Sequence, residues 1–369
     1  MSGLYIGIMS GTSLDGIDLV LVRFEQDSAG QLHPELLDSL LCPFPELLRQ
    51  QLSQLALSGP DELELMGLAE QQLALAYAAA VRQLLAKAQL GPEQICAIGC
   101  HGQTVRHRPY AQWPFTYQIG DMFRLAAETQ IRVIADFRRK DLAYGGQGAP
   151  LVPAFHQAIF ATADSSRAIL NIGGIANVTL LQPGRPVRGY DTGPGNALLD
   201  SWIQQQGLGN YDQDGRYAAS GQIQQDLLQC LLSDPYFQLQ GPKSTGREYF
   251  NLQWLQPKLA QKNYAAADVQ RTLTRFTAES IRAALSDEAI EELFICGGGA
   301  YNKVLISDLQ QLFPTVQIRQ TASLGVKADD VEAMAFAWLA YAYDHQIPGN
   351  IPEVTGARKA VVLGAQFSY

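Results

Sequence analysis

A strand–turn–strand unit that occurs twice constrains the fold more than any other feature of the chain. Near the start, "LYIGIMSGTSLDGIDLVLVRF" (Leu4–Phe24) runs apolar, breaks into Gly, Ser, Thr and Asp, and turns apolar again. Farther on, "AILNIGGIANVTLLQP" (Ala168–Pro183) follows the same plan with a shorter glycine turn, and a further strand runs into "VRGYDTGPGN" (Val187–Asn196). Runs rich in Ile, Leu and Val bounded by Gly and Asp read as buried strands. Strands and helices alternate after each unit, which predicts an α/β layered domain each time. A chain of 369 residues has room for two such domains.

The pattern predicts strands over Leu4–Ser10, Ile17–Phe24 and His33–Cys42, then a helix over residues 61–90 that Gly91-Pro92 stops. A strand over Ile95–Gly99, a helix over Met122–Thr129 and a strand over Ile131–Phe137 follow. The charged, then glycine-rich "RRKDLAYGGQGAP" (Arg138–Pro150) reads as a domain junction or a functional loop. The expected boundaries are 1–138 plus 331–369 for the first domain and 139–330 for the second. In the second, helices are expected within 197–233 and 266–285. A strand over Glu292–Ile295 should enter "CGGGAYN" (Cys296–Asn302), and a buried helix is expected over Val331–Tyr343.

Charge narrows the partners. A formal charge of −9 repels polyanions, so neither nucleic acid nor an anionic membrane is an expected partner. The longest apolar runs, Leu73–Val81 and Ala333–Tyr343, fall short of the ~20 residues that span a bilayer. The amino terminus carries no secretory pattern, and five scattered cysteines suit reduced thiols in the cytoplasm. Cys96, Cys100 and His101 lack a second Cys/His pair at zinc spacing, and a metal site there is not expected.

Four glycine loops follow strands, at 10–16, 145–148, 173–174 and 297–299. Exposed backbone N–H groups and hydroxyls at such turns cradle phosphate, because glycine removes the steric bar to close approach. In the first loop Asp15 and Asp18 suit a hard cation such as Mg²⁺; the alternative is a hairpin whose Gly and Asp serve only the turn. "GPKSTGRE" (Gly241–Glu248) is no P-loop, since Arg247 stands where Lys belongs. "GPGNAL" (Gly193–Leu198) is no dinucleotide fingerprint, since Leu198 takes the third glycine position. Taken together, the loops and the repeated unit point to a nucleotide clamped between two related domains.

Asp191, in a loop constrained by Gly193, Pro194 and Gly195, has the setting of a general base. The alternative is an Asx turn or a cap for the helix starting near Asn196. Glu332 opens the late helix, where a carboxylate also suits the helix dipole. Gln103, Thr104 and Arg106 after one strand, and Asp136 and Arg138 after another, are candidates for reading a polar substrate. Solvated charge is the alternative for Arg138 and Arg139.

The blocks "GIMSGTSLDGID", "GCHGQT", "ADFRRKD", "GGQGAPLVPAFH", "LNIGGIANV", "DTGPGN", "GPKSTGRE", "CGGGAYN" and "AFAWLA", in this order from Gly7 to Gly364, resemble the anhydro-N-acetylmuramic acid kinases. The resemblance implies an α/β chain of two ribonuclease-H-like domains, the actin-like ATPase fold, flanking a cleft that holds ATP and Mg²⁺. It implies that Gly11, Thr12, Ser13, Leu14, Asp15, Gly16, Ile17 and Asp18 form the first phosphate loop, with Asp15 and Asp18 the candidates for Mg²⁺. It likewise implies that Gly173, Gly174 and Asn177 belong to the second phosphate loop, and Gly297, Gly298 and Gly299 to the adenosine loop. The acid common to the superfamily at the end of the first strand is absent, and Met9 stands near there. The reaction implied is hydrolytic opening of a 1,6-anhydro sugar with phosphorylation of its freed 6-oxygen, in cell-wall recycling. Asp191 would activate water, Glu332 would be a second acid, and Gln103, Arg106 and Arg138 would serve the lactyl carboxylate. A homodimer is implied as well. Two other readings compete: a kinase for an ordinary sugar with a free hydroxyl, and a nucleotide-dependent chaperone or regulator without the chemistry. A chaperone would want a long peptide-binding domain after the clamp.

Overall fold

A computed structural model describes residues 3–12, 14–28, 30–239, 243–260 and 262–369. The chain divides into two units, one running to Ile159 and resuming over Asp330–Tyr369, the other spanning Phe160–Asp329.

The first unit is built on β1 (Gly3–Ser10), β2 (Ile17–Gln26), β3 (Leu32–Cys42), β4 (Ile95–Arg108), β5 (Phe115–Ile119), β6 (Val133–Ala135) and a last strand, Ala365–Phe367. Its sheet runs β3–β2–β1–β4–β6–last strand, with β5 paired to β4 as a hairpin. β1 is antiparallel to β2 and parallel to β4. Side chains alternate across a sheet, so Ile6 and Ile8 share one face and Gly7 takes the other. On the first face Ile6, Ile8, Leu19 and Leu21 share a core with Leu73, Tyr77 and Val81 of the helix Glu62–Ala88. On the second, the apolar helix Val331–Asp344 lies directly on the sheet. Gly7 and Gly99 sit side by side in register, and a β-carbon at either would lie 1.9 Å from the carbonyl oxygen of Ala333 or Phe336. Only glycine lets the helix backbone come this close.

The second unit contains β7 (Arg167–Ile172), β8 (Ile175–Leu181), β9 (Arg188–Pro194), β10 (Glu292–Cys296) and β11 (Gln317–Gln320), in the order β9–β8–β7–β10–β11. β7, β8 and β9 form an antiparallel meander, and β10 and β11 add in parallel on the β7 side. The first unit has the same order, third–second–first–fourth, followed by a further parallel strand. This is the ribonuclease-H-like plan in both units, as the resemblance implied. The helix Ala266–Ala284 buries Val269, Leu273 and Phe276 in a core with Leu227, Leu231 and Phe250.

Several elements depart from the sequence pattern. β4 continues past Gly99 to Arg108, because β5 gives its polar second half a partner. β6 covers only Val133–Ala135, and Phe137 already belongs to the helix Phe137–Ala143. The helix Glu46–Leu55 was not foreseen. The first unit extends to Ile159 rather than ending at Arg138. Asp141, fully buried, explains this: it accepts from Asn350 Nδ2 at 2.6 Å, Thr355 Oγ1 at 2.8 Å and the Gly148 N–H at 2.7 Å, tying the segment after Arg138 to the carboxy-terminal region. Among the described residues, no helix is long and apolar enough to cross a membrane.

Candidate active site

In the first unit the β1–β2 turn carries the candidate phosphate loop. The Leu14 N–H closes onto the Gly11 carbonyl at 3.2 Å, with Leu14 at φ 57°. Thr12 and Asp15 are exposed, Gly16 and Ile17 are buried, and Asp18 is half-buried on β2 opposite Met9. Ser13 lies outside the described residues. The loop is propped from below. Gln103, opposite Ser10 in the β1–β4 ladder, donates from Nε2 to the Gly11 carbonyl at 3.2 Å. Ser10 Oγ meets the Tyr77 hydroxyl at 2.6 Å and donates to the Gly102 carbonyl at 3.3 Å. Gln103 is therefore a support of the loop, and its buried Oε1 has no hydrogen-bond partner among the described residues.

The other candidates of this unit separate into two groups. Arg138 is half-buried, donating from Nε to His101 Nε2 at 3.0 Å and from Nη1 to the Gly148 carbonyl at 2.7 Å. Burial pushes its guanidinium down to about 10, opposed by the negative charges of Glu332 and Asp141. Burial and the Arg138 charge hold His101 well below the usual histidine range, so its ring is neutral. Since Nε2 accepts from Arg138, the ring proton sits on Nδ1. Arg138, Glu332 and the neutral His101 thus gather at the start of the helix Val331–Asp344.

Arg106, Thr104 and Asp136 are occupied elsewhere. Arg106 pairs with Glu62 and donates to the carbonyls of Leu55 and Leu57, closing the end of the unforeseen helix Glu46–Leu55. Thr104 Oγ1 accepts from Gln118 Nε2 at 3.1 Å within the β4–β5 hairpin. Asp136, at φ 59°, takes both its oxygens to Arg139 Nε at 2.8 Å. Arg139 therefore has a carboxylate partner, whereas solvation was the expected alternative.

In the second unit the β7–β8 turn is tight. The Gly174 carbonyl accepts from the N–H groups of Gly195 and Ala197, and the Gly173 carbonyl accepts from that of Asn196. Gly195–Ala197, just past the end of β9, thus brace the turn, and Asp191, expected in a loop, lies within the strand. Gly297–Gly299 packs beside it: a β-carbon at Gly299 would fall 2.3 Å from Ile172 Cγ2, and one at Gly297, whose φ is 75°, 2.3 Å from Asn171 Oδ1. Gly298 is exposed, with Asn196 nearest. The Gly173–Gly174 turn and the Gly297–Gly299 loop therefore meet at the end of β7.

Asp191 lies on β9 opposite Asn177, and Asn177 lies opposite Asn171. Directly paired residues share a sheet face, so the three polar side chains form a row leading from the base candidate to the glycine turn. Asp191 Oδ2 accepts from the Thr245 N–H at 2.9 Å and from Ser244 Oγ at 3.2 Å. Its N–H donates to the Lys243 carbonyl at 2.9 Å, and its carbonyl accepts from the Tyr236 hydroxyl at 2.8 Å. Burial raises the carboxyl above the ordinary aspartate range, the Thr245 and Ser244 donors oppose the rise, and Glu248 adds to it. The role of "GPKSTGRE" thus becomes visible from Lys243 onward: it is the seat of Asp191. Gly241 and Pro242 lie outside the described residues.

The family model described as anhydro-N-acetylmuramic acid kinase matches residues 3–369. An anhydro-N-acetylmuramic acid kinase of Pasteurella multocida (strain Pm70) is 51% identical, covering 98% of this chain and 96% of that protein. One of Shewanella sp. (strain ANA-3) is 52% identical over 99% of this chain and 98% of its own. One of Haemophilus influenzae is 49% identical over 98% of this chain and 97% of its own. The chain belongs to the anhydro-N-acetylmuramic acid kinase family.

Proposed function

We propose that this kinase uses ATP and water to open the anhydro bridge of 1,6-anhydro-N-acetylmuramic acid and to phosphorylate the freed 6-oxygen. The products are N-acetylmuramate 6-phosphate and ADP. The observation that carries the reading is the seat of Asp191, a carboxylate whose proton affinity is raised by burial while two donors fix its orientation. A base with that affinity takes a proton more readily than an ordinary surface aspartate.

The bridge oxygen of the sugar is an ether and has no proton to lose, so a base has nothing to do there. Asp191 instead takes a proton from water as the water oxygen bonds to the anomeric carbon. The bond from that carbon to the 6-oxygen breaks, and its electron pair stays on the 6-oxygen. That oxygen bonds to the γ-phosphorus as the bond from phosphorus to the ADP oxygen breaks. The proton leaves through Asp191 to solvent, so atoms and charge balance. Glu332 is the second acid of this reading. Arg138, beside His101 and Glu332, is the cation suited to the lactyl carboxylate.

Gly11–Asp18 and Gly173–Gly174 are assigned to the triphosphate, and Gly297–Gly299 to adenosine. Among the described residues, no three His, Cys, Asp or Glu side chains group as a metal cage. Mg²⁺ does not require one: it commonly takes one or two carboxylates together with phosphate oxygens and water. Asp15 and Asp18 suit that role, and the ion would neutralise charge developing on the phosphates. A cytoplasmic homodimer engaged in cell-wall recycling completes the reading, and sedimentation checks the dimer.

The experiment is an incubation with ATP, Mg²⁺ and the anhydro sugar in oxygen-18 water, followed by mass spectrometry. One heavy oxygen at the anomeric position of a phosphorylated sugar is expected. A phosphorylated product that still carries its anhydro ring, or no phosphorylated sugar, would refute the coupled reaction. The competing reading of a free-hydroxyl sugar kinase predicts phosphorylation of an ordinary amino sugar without label.

A further inference from the structure

The segment Lys243–Glu248 does more than seat Asp191, because it also brings a cation to the second glycine turn. A β-carbon at Gly174 would lie 2.5 Å from Nε and 2.7 Å from Nη2 of Arg247. The guanidinium therefore fills the space that a side chain at Gly174 would need. Arg247 is exposed. The second unit holds nine arginines, Arg167, Arg185, Arg188, Arg216, Arg247, Arg271, Arg275, Arg282 and Arg319. Eight of them hydrogen-bond through their guanidinium to a carboxylate or side-chain amide. Arg247 alone has no such partner among the described residues.

We propose that Arg247 binds the terminal phosphoryl group of the nucleotide. The proposal rests on the reading of Gly173–Gly174 as a phosphate loop and deepens it. Two features select the terminal phosphate. The group to be transferred has to stand nearest the acceptor oxygen, on the side where Asp191 serves the sugar. Arg247 follows Ser244 and Thr245, which hold Asp191, by only a few residues while touching the turn itself. The surroundings also call for a cation. Asp191 and Glu248 both place negative charge here, and a triphosphate tail approaching them meets repulsion that a guanidinium offsets. Arg forms paired, charge-assisted hydrogen bonds to phosphate oxygens that no backbone amide matches in charge. A single short segment thus joins the base to the phosphoryl group it works beside.

The test is calorimetric titration of the full chain with Mg²⁺ and no sugar, using β,γ-methylene-ATP and ADP as probes. Arg247→Ala is expected to weaken the triphosphate analogue about tenfold while ADP affinity stays within about twofold. Arg247→Lys should recover part of the loss, since it keeps the charge and loses the fork. Gly174→Ala keeps the arginine but displaces its guanidinium, and should show the same selective loss. Unfolding midpoints check that each variant is folded. Equal weakening of both nucleotides, or no weakening of the triphosphate analogue, overturns the assignment. Because no sugar is present, this result is independent of oxygen-18 incorporation, and the two readings can fail separately.

Discussion

The two units share one strand order and differ in how the first turn is equipped. The β1–β2 turn is long and brings its own polar side chains in Thr12 and Asp15, with Asp18 just past it on β2. It needs only props beneath it, from Gln103 and from Ser10 with Tyr77. The β7–β8 turn is two glycines, Gly173 and Gly174, and offers backbone alone. Its polar groups come from elsewhere: Asn177 and Asp191 from neighbouring strands, Arg247 from a distant segment. The same fold thus gathers polar groups locally in one unit and by assembly in the other. Damage should follow that division, sharp and structural where the helix rides on the sheet, selective and chemical around the second turn.

The largest expected effect breaks the first unit. Gly7→Val places a branched side chain where the Ala333 carbonyl lies 1.9 Å from the β-carbon position, and backbone cannot step aside cheaply. A loss of about 3 kcal/mol or more is expected in denaturant unfolding. Gly173→Ala is the contrast in the second unit. Among the described residues its β-carbon meets only the Ile175 carbonyl, at 3.6 Å, and stability should stay within about 0.5 kcal/mol. Comparable destabilisation by the two would erase the distinction.

Gln103→Leu tests the props of the first turn. It removes the bond to Gly11 together with a buried oxygen that has no partner among the described residues, so the two effects on stability oppose each other. Stability should change by less than about 1 kcal/mol while the KM for ATP rises a few-fold. An unchanged KM would remove Gln103 from the support of the loop.

The smallest effects are in pH dependence. In the proposed role Asp191 acts as a base only when ionised, and burial raises its pKa, so activity should fall as pH drops through that raised value. Ser244→Ala removes a donor that favours the carboxylate, and should move the acid limb of kcat/KM to higher pH. Glu248→Gln removes a charge that disfavours it, and should move the limb to lower pH. Shifts in the same direction for both variants would contradict the assignment of that limb to Asp191.

Much of the frame was legible in the sequence. The two strand–turn–strand units, the helix Met122–Thr129 and the long helices after residues 61, 265 and 330 follow from apolar period and from Gly and Pro stops. The second half of β4 did not, because Gln103, Thr104, Arg106 and His107 show no apolar face and are held as a strand by β5. Arg106 looked like a substrate reader because its partners, Glu62 and the end of the helix Glu46–Leu55, are distant in sequence. The seat of Asp191 was hidden for the same reason. Its hydrogen bonds to Ser244 and Thr245 span 53 and 54 residues, and a Lys-Ser-Thr-Gly-Arg run carries no local sign of what it holds.

Asp191→Asn tests the central claim most directly, with turnover and nucleotide affinity measured on the same preparation. Asparagine keeps the size of the side chain and loses its basicity. Turnover should fall by about 10²–10⁴-fold while the affinity for β,γ-methylene-ATP stays within about twofold. Near-normal turnover in that variant would contradict the account, because some other group would then be activating the water.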